Sequence, residues 1–223
     1  MFFYCLKKMY IWASEKEEKM ARNINTIVFD FGGVLIDWNP EYLYRKVFHD
    51  KNEMHYFLQH VCTRRWNEKQ DAGRPLVEAT KLLQEEFPTY RAEIAMFYDR
   101  WNEMLGGTID DNVRLIEPLK KSYRLYGLTN WSAETLPIAK SLYDFFQYLD
   151  GIVVSGEEKL LKPQPEIYRI LMNRYQIQPN RSMFIDDNIE NIKTAEELGF
   201  KAIHYTPKMN LSASLKEYGI LIE

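Results

Sequence analysis

Short apolar segments alternate with amphipathic helical segments through the second half of the chain. The apolar segments are Tyr123–Asn130, Tyr148–Ser155, Ser182–Asp186 and Lys201–Tyr205. A helical pattern follows each of the first three, and this alternation is typical of right-handed βαβ units and a parallel sheet. An earlier apolar segment, Ile27–Phe31, adds a strand that ends at two glycines. The sequence therefore predicts an α/β fold with a doubly wound, Rossmann-like parallel-sheet core.

A helical block separates this first strand from the others. Apolar residues recur at helical spacing from Pro40 to about Asn112, which predicts helices over residues 41–48, 52–61, 75–87 and 90–105. Gly106-Gly107 are predicted to end the last of them. We predict an α-helical cap over residues 39–112, inserted into a core of residues 24–38 and 113–223.

The first 23 residues are predicted to be a separate N-terminal extension, flexible or helical, with Met20 as an alternative start. Lys7 and Lys8 interrupt its apolar beginning, and "SEKEEK" stands in place of a small-residue cleavage site, so we do not expect a secretory signal.

Charge and hydropathy limit the classes of partner. A net charge of −3 does not favour nucleic-acid binding, and no run of 18 apolar residues predicts a membrane span. Two distant cysteines, Cys5 and Cys62, suit a reducing compartment. We expect a cytoplasmic protein, a monomer or weak homodimer, whose partner is a small molecule.

Polar side chains follow the predicted strands where each strand ends. They are Asp30, Thr129, Asn130, Asp186 and Asp187, with Lys162 in the loop after the third strand. Ligands of such sheets bind outside the carboxyl ends of the strands. Carboxylates suit Mg²⁺, a lysine and a hydroxyl suit phosphate, and a carboxylate can attack phosphorus. The pattern predicts magnesium-dependent phosphoryl transfer through Asp30.

Four segments of the chain resemble the four motifs of the haloacid dehalogenase superfamily. In family order they are "VFDFGGVL", "YGLTN", "KPQPEIY" and "FIDDNIENI". The "FDFGGV" form of the first motif is similar to the branch of the family that contains bacterial glucose-1-phosphate phosphatases and the phosphatase-type domain of soluble epoxide hydrolases. The resemblance implies a hydrolase with a helical cap between the first two motifs.

The resemblance also implies a role for each matching residue. Asp30 would be the nucleophile and a magnesium ligand, with the carbonyl of Gly32 as another ligand. Asp187 would hold the metal, and Asp186 would either join it or position its waters. Asn191 stands where relatives often carry an acid that supports these ligands.

The phosphate-binding roles implied by the resemblance fall on three further residues. Thr129 and the backbone amide of Asn130 would bind the transferring phosphoryl group. Lys162 would balance charge between that group and Asp30.

Gly32 departs from the pattern of many phosphatase relatives, which carry an aspartate there as general acid and base. Losing such a group typically costs about 10²–10⁴-fold in rate. Three explanations stay open at this point: Asp37 or a cap residue substitutes, the leaving group is good, as in an anomeric or acyl phosphate, or turnover is slow.

The favoured hypothesis is a Mg²⁺-dependent phosphatase of a small phosphorylated metabolite, such as the sugar phosphate glucose 1-phosphate. The alternatives are a metal-independent haloacid dehalogenase that uses Asp30 against carbon, and a non-catalytic phospho-ligand-binding protein. The triplet Asp30-Phe31-Gly32 also occurs in protein kinases, but no glycine-rich loop or catalytic loop precedes it. For Arg64 and Arg65 in the cap, a solvated helix face is favoured over contact with the substrate.

Overall fold

The computed structural model describes residues 24–222, so the predicted N-terminal extension lies outside the described residues. The strands are Thr26–Phe29 (β1), Ile36–Trp38 (β2), Leu105–Thr108 (β3), Arg124–Thr129 (β4), Gly151–Val154 (β5), Ser182–Asp186 (β6) and Lys201–His204 (β7). Five of them form a parallel sheet in the order β5-β4-β1-β6-β7. The predicted α/β class and parallel core are confirmed.

The order of the strands brings three carboxyl ends together. β1 pairs with β4 on one side and with β6 on the other, so Phe29 lies opposite both Gly127 and Ile185. β4 and β5 are added in turn on one side of β1, and the chain then crosses back and adds β6 and β7 on the other side. Open α/β sheets bind ligands where the winding direction reverses in this way. The site is therefore expected beyond β1, β4 and β6.

The helices are Glu41–Tyr44 (α1), Lys51–Tyr56 (α2), Arg64–Asp71 (α3), Leu76–Glu86 (α4), Arg91–Asp99 (α5), Asp110–Val113 (α6), Ile116–Lys120 (α7), Leu136–Leu142 (α8), Ser155–Glu158 (α9), Pro165–Tyr175 (α10), Ile189–Glu197 (α11) and Leu211–Glu217 (α12). α1 to α5 belong to the inserted block, and later helices pack on the five-stranded sheet. Val28 packs with Tyr168 and Phe184 on one face, whereas Phe29 belongs to the larger cluster on the other. A strand buried on both faces needs a continuous apolar run, which β1 has.

None of the helices between residues 24 and 222 combines the length and the apolar character that a membrane crossing would require.

The inserted block is helical, as predicted, but its helices are shorter than their patterns. α1 ends at Tyr44 instead of residue 48, and residues 57–61 form a π-helical turn after α2. The cap helices nevertheless bury aromatic side chains against one another, including Tyr44, Phe57 and Phe97. The assignment of residues 39–112 as a separate domain stays a prediction.

The predicted helix over residues 90–105 was wrong in its second half. α5 ends at Asp99, a 3₁₀ turn spans Trp101–Met104, and Gly106-Gly107 lie in β3, which pairs antiparallel with β2. A Cβ on Gly106 would lie 2.5 Å from the Asp37 carboxylate, so the ribbon requires a glycine there. The glycines therefore permit a close strand pair as well as ending the helical region.

Gly127 tests how tightly the sheet packs beneath the site. A Cβ there would lie 2.2 Å from the Phe31 ring, which is itself held by Phe145 and Phe146. Because overpacking forces neighbours off their rotamers, Gly127→Ala should destabilise folding by about 1–3 kcal/mol in urea unfolding. Gly32→Ala is the control, since its Cβ would meet no atom within 4 Å. Equal stabilities of the two variants would contradict this account of the packing.

Candidate active site

Asp30 lies directly after β1 and is 8% exposed. Its backbone N–H continues the sheet by donating to the Ile185 carbonyl at 2.8 Å, which fixes where the side chain starts. The hydrogen bonds that described residues donate to its carboxylate, from Phe31 N at 2.7 Å and from Lys162 Nζ at 2.9 Å, both end on Oδ1. Oδ2 is therefore the oxygen available for chemistry.

Lys162 connects the ends of the three central strands. Its buried Nζ donates to Asp30 Oδ1, to Asp186 Oδ2 at 2.7 Å and to the Leu128 carbonyl at 2.8 Å, which uses all three N–H groups. Burial opposes the charged amine, but the carboxylates of Asp186 and Asp30 outweigh burial and raise the Lys162 pKa. Lys162 is therefore a fixed cation in this structure.

The backbone of Lys162 is clamped as firmly as its side chain. The Asn130 amide accepts from Lys162 N at 2.8 Å and donates to Lys162 O at 3.0 Å. The peptide bond from Lys162 to Pro163 is cis. The side chain of Asn130 therefore positions the lysine loop, while its predicted backbone contact to phosphate stays a prediction.

Asp186 is fully buried at the end of β6. Oδ1 accepts from Asn188 N at 2.8 Å and from Asn191 Nδ2 at 2.9 Å, and Oδ2 accepts from Lys162 Nζ and Asn191 Nδ2. Since both oxygens are used, this geometry favours the predicted positioning role of Asp186 over direct metal binding. Asn191 donates from its side-chain amide to both oxygens of Asp186 and so fixes the orientation of that carboxylate.

Asp30, Asp186 and Asp187 form an acidic cluster. One carboxylate oxygen from each lies within 4.8 Å of the others. Burial, opposed by Lys162, and repulsion from the other two carboxylates raise the Asp30 pKa to about 7. Burial and Asp186 also raise the pKa of the more exposed Asp187. Mutual repulsion between oxygen ligands is what a hard divalent cation relieves, so the donor set fits Mg²⁺.

The first glycines after Asp30 make room for this cluster. A Cβ on Gly33 would lie 2.4 Å from Asp187 Oδ2, and Gly33 has φ +72°. Gly32 lines the same cavity, but the predicted role of its carbonyl as a metal ligand stays a prediction.

Thr129 ends β4 beside these groups. Its hydroxyl is buried without a hydrogen-bond partner among the described residues, which is unusual for a buried polar atom. The residue itself does not line the cavity, whereas the next residue, Asn130, does. A ligand oxygen reaching this strand end would satisfy the hydroxyl.

The cavity of about 340 Å³ lies between the sheet edge and the cap. The core contributes Asp30, Asn130, Lys162 and Asp187, and the cap contributes Arg64, Asn67, Glu68, Asp71, Tyr98 and Trp101. Arg64 lines the cavity although its side chain is largely exposed, and Arg65 is outside the lining. The cap acids were missed, although positions 64, 67, 68 and 71 share one helix face and form a polar stripe.

The chain belongs to the haloacid dehalogenase-like hydrolase family, whose model matches residues 24–199. This confirms the predicted superfamily and makes the protein a hydrolase. The predicted branch within the family stays a prediction.

Similar proteins extend over most of the chain. D-ribitol-5-phosphate phosphatase of Bacteroides thetaiotaomicron is 28% identical over 80% of this chain and 90% of its own length. A sesquiterpene phosphatase of Aspergillus oryzae is 21% identical over 89% of this chain and 98% of its own. A magnesium complex of a family enzyme from B. thetaiotaomicron superimposes with a TM-score of 0.68 at 23% identity, covering 87% and 99% of the two chains. This last likeness supports the fold.

Removing the Lys162 ammonium should show how much this cation contributes to the free energy of unfolding. In chelator, Lys162→Met should lose about 3–5 kcal/mol of unfolding free energy at pH 8, because buried carboxylates would lack their cation. Lys162 lowers the Asp30 pKa, so the variant's value should rise further above the unfolded 3.8. A carboxyl with a raised folded pKa stabilises below its unfolded pKa and loses that contribution as pH rises.

The deficit of Lys162→Met should therefore shrink as pH falls from 8 towards 5, measured by urea unfolding. The exposed Lys159 on the same loop supplies the control variant Lys159→Met. A deficit that is independent of pH would contradict the charge account and point to lost packing.

Thr129→Val should separate ligand binding from stability. It removes an unsatisfied hydroxyl, so unfolding free energy should not fall, whereas affinity for inorganic phosphate should drop about tenfold. Thr26→Val is the control, because the Thr26 hydroxyl donates to Asn25 and accepts from Arg124, and its loss should destabilise by about 1–3 kcal/mol. Calorimetric titration with phosphate and urea unfolding check both. Unchanged phosphate affinity would remove Thr129 from the site.

Proposed function

We propose that the protein is a Mg²⁺-dependent phosphatase of a small phosphorylated metabolite, working through an aspartyl-phosphate on Asp30. The observation that carries this proposal is the Lys162 bridge between Asp30 and Asp186, with Asp187 beside them at the ends of adjacent parallel strands. Two relatives that extend over most of the chain, a D-ribitol-5-phosphate phosphatase and a sesquiterpene phosphatase, support it.

The proposed first step is in-line attack by Asp30. Asp30 Oδ2 attacks phosphorus while Oδ1 stays hydrogen-bonded to Lys162 and to Phe31 N. Lys162, the Thr129 hydroxyl and the Asn130 N–H balance the charge of the transferring phosphoryl group. Bound through Asp30, Asp187 and the Gly32 carbonyl, Mg²⁺ would neutralise charge on the phosphoryl oxygens.

The second half of the reaction is hydrolysis of the aspartyl-phosphate. Water attacks phosphorus, the bond to Asp30 breaks, and phosphate leaves with the Asp30 carboxylate restored. The cap wall of the cavity limits access of bulk water during this exchange.

The cavity favours a hydroxylated substrate. Ser132, Thr135 and Asn188 line its wall with hydroxyl and amide groups. Such groups hydrogen-bond sugar or polyol hydroxyls, and D-ribitol-5-phosphate phosphatase is one of the similar proteins. We therefore place sugar and polyol phosphates first among substrates, with glucose 1-phosphate among them.

Phosphate release from sugar and polyol phosphates and from 4-nitrophenyl phosphate tests the function. Release should require Mg²⁺, stop in chelator and fall by several orders of magnitude in Asp30→Asn, because that variant lacks the nucleophile. Acid quenching of the wild type should trap one labile phosphate on Asp30.

Asp37→Asn is the control for this experiment. Asp37 accepts from Tyr42 at 2.6 Å in the β2–β3 region and does not line the cavity, so its loss should leave release unchanged. Haloacid turnover that persists in chelator, without phosphate release, would replace the proposal with the dehalogenase. Phosphate binding without turnover of any substrate would replace it with the phospho-ligand-binding alternative.

A further inference from the structure

The carboxyl end of cap helix α3 is fastened to the core beside the proposed phosphate site. The Ser155 hydroxyl donates to the backbone carbonyl of Asp71 and accepts from Trp131 N at 2.9 Å. The turn after the helix lies against the core as well, since a Cβ on Gly73 would lie 3.0 Å from the Gly156 carbonyl. Asp71 is therefore held at a defined position relative to the loop that follows β4.

A chain of hydrogen bonds ends on the Asp71 side chain. Arg74 Nε donates to Gln70 Oε1 at 2.8 Å, and Gln70 Nε2 donates to the Tyr98 hydroxyl at 2.8 Å. That hydroxyl donates to Asn67 Oδ1 at 2.9 Å, and Asn67 Nδ2 donates to Asp71 Oδ2 at 3.0 Å.

The donors and acceptors of this hydrogen-bond series can run in only one direction, from Arg74 to Asp71. The guanidinium can only donate, so each amide along the chain is oriented and Asn67 must present its N–H₂ to Asp71. The network therefore fixes Oδ2 of Asp71 as an acceptor.

The surroundings of Asp71 favour its neutral form. Burial, against the Ser132 N–H and Arg64 and with a smaller contribution from Glu68, raises its pKa to about 8. Arg64 also lowers the pKa of Asp187, so its charge acts on both the cap acid and the acidic cluster. Tyr98 and Arg74 belong to the same hydrogen-bond network, with Arg74 at its far end. A raised pKa near neutrality suits Asp71 to hold and release a proton.

The other candidate acids are less suitable. Gly32 has no side chain and Asp37 is outside the cavity, where it is bonded to Tyr42. Glu68 does line the cavity, but it is ion-paired with Arg64 and 44% exposed, which favours its charged form. Among cavity acids outside the cluster of Asp30, Asp186 and Asp187, Asp71 alone, itself half-buried, is held by a network of side-chain hydrogen bonds in the described part of the chain.

We propose that Asp71 of the cap is the general acid and base of the reaction, in place of the aspartate that Gly32 lacks. This inference rests on the proposed phosphatase function. As Asp30 attacks phosphorus, the bond from phosphorus to the leaving oxygen breaks and that oxygen takes the proton from Asp71. The Asp71 carboxylate then takes a proton from the water that attacks the aspartyl-phosphate, and Asp30 leaves as a carboxylate.

Asp71→Asn tests the proposal, because it keeps the shape and removes the proton. With an alkyl phosphate that the wild type hydrolyses, kcat/KM should fall about 10²–10³-fold. With 4-nitrophenyl phosphate, whose leaving group needs no proton, kcat/KM should stay near the wild-type value while kcat falls. The variant should therefore release one nitrophenolate per enzyme in a burst and accumulate the aspartyl-phosphate.

The pH profile supplies a second readout of the same variant. For the alkyl phosphate, wild-type kcat/KM should fall above about pH 8, where the acid loses its proton. Asp71→Asn should lack this decline. The retained kcat/KM for 4-nitrophenyl phosphate also shows that the variant is folded.

Two variants give the comparison its controls. Asp99→Asn makes the same substitution at an exposed cap position and should behave as the wild type. Glu68→Gln removes the other cavity acid of the cap and should show no burst. A burst in Glu68→Gln instead, or an equal loss of kcat/KM for alkyl and aryl phosphates in Asp71→Asn, would overturn the assignment of Asp71. A wild type inactive on both substrates would instead overturn the phosphatase function, and with it this inference.

Discussion

The site depends on one buried cation held between two carboxylates. Lys162 Nζ contacts Asp30 after β1, Asp186 at the end of β6 and the carbonyl of Leu128 in β4. Taking these charges out of water is costly unless each is paired and hydrogen-bonded, and here the backbone N–H groups of Phe31 and Asn188 and the Asn191 amide supply the remaining bonds to the carboxylates. The strand order makes this arrangement feasible, since β4, β1 and β6 are neighbours.

The core half of this arrangement could be predicted from the sequence because its signals are local. A buried apolar strand followed by Asp30, or by Asp186 and Asp187, identifies both an element and the polar group at its end. Lys162 needed more than spacing, since Lys159 stands in the same loop, and the family motif distinguished them. In the structure Lys162 is buried while Lys159 is exposed with φ +58°, a difference that depends on tertiary contacts.

The cap half could not be predicted in the same way. Gly106 was interpreted as a helix stop, whereas its close contact with Asp37 across the β2–β3 ribbon is a long-range constraint. Arg64 reads as a solvated charge, and it does have a largely exposed side chain while lining the cavity. Asp71 is an ordinary helix-end acid in the sequence. Its distinction comes from partners at positions 98, 132 and 155, which no local pattern brings together.

Placing the acid in the cap changes what cap closure accomplishes. In an enzyme whose acid follows the nucleophile in the same loop, the two groups stay together whatever the cap does. Here Asp30 belongs to the core and Asp71 to the cap, and the bond from Ser155 to the Asp71 carbonyl is what brings them to one cavity. Proton transfer in both half-reactions would then require the docked cap, so an undocked cap would leave an aspartyl-phosphate without the base that activates water.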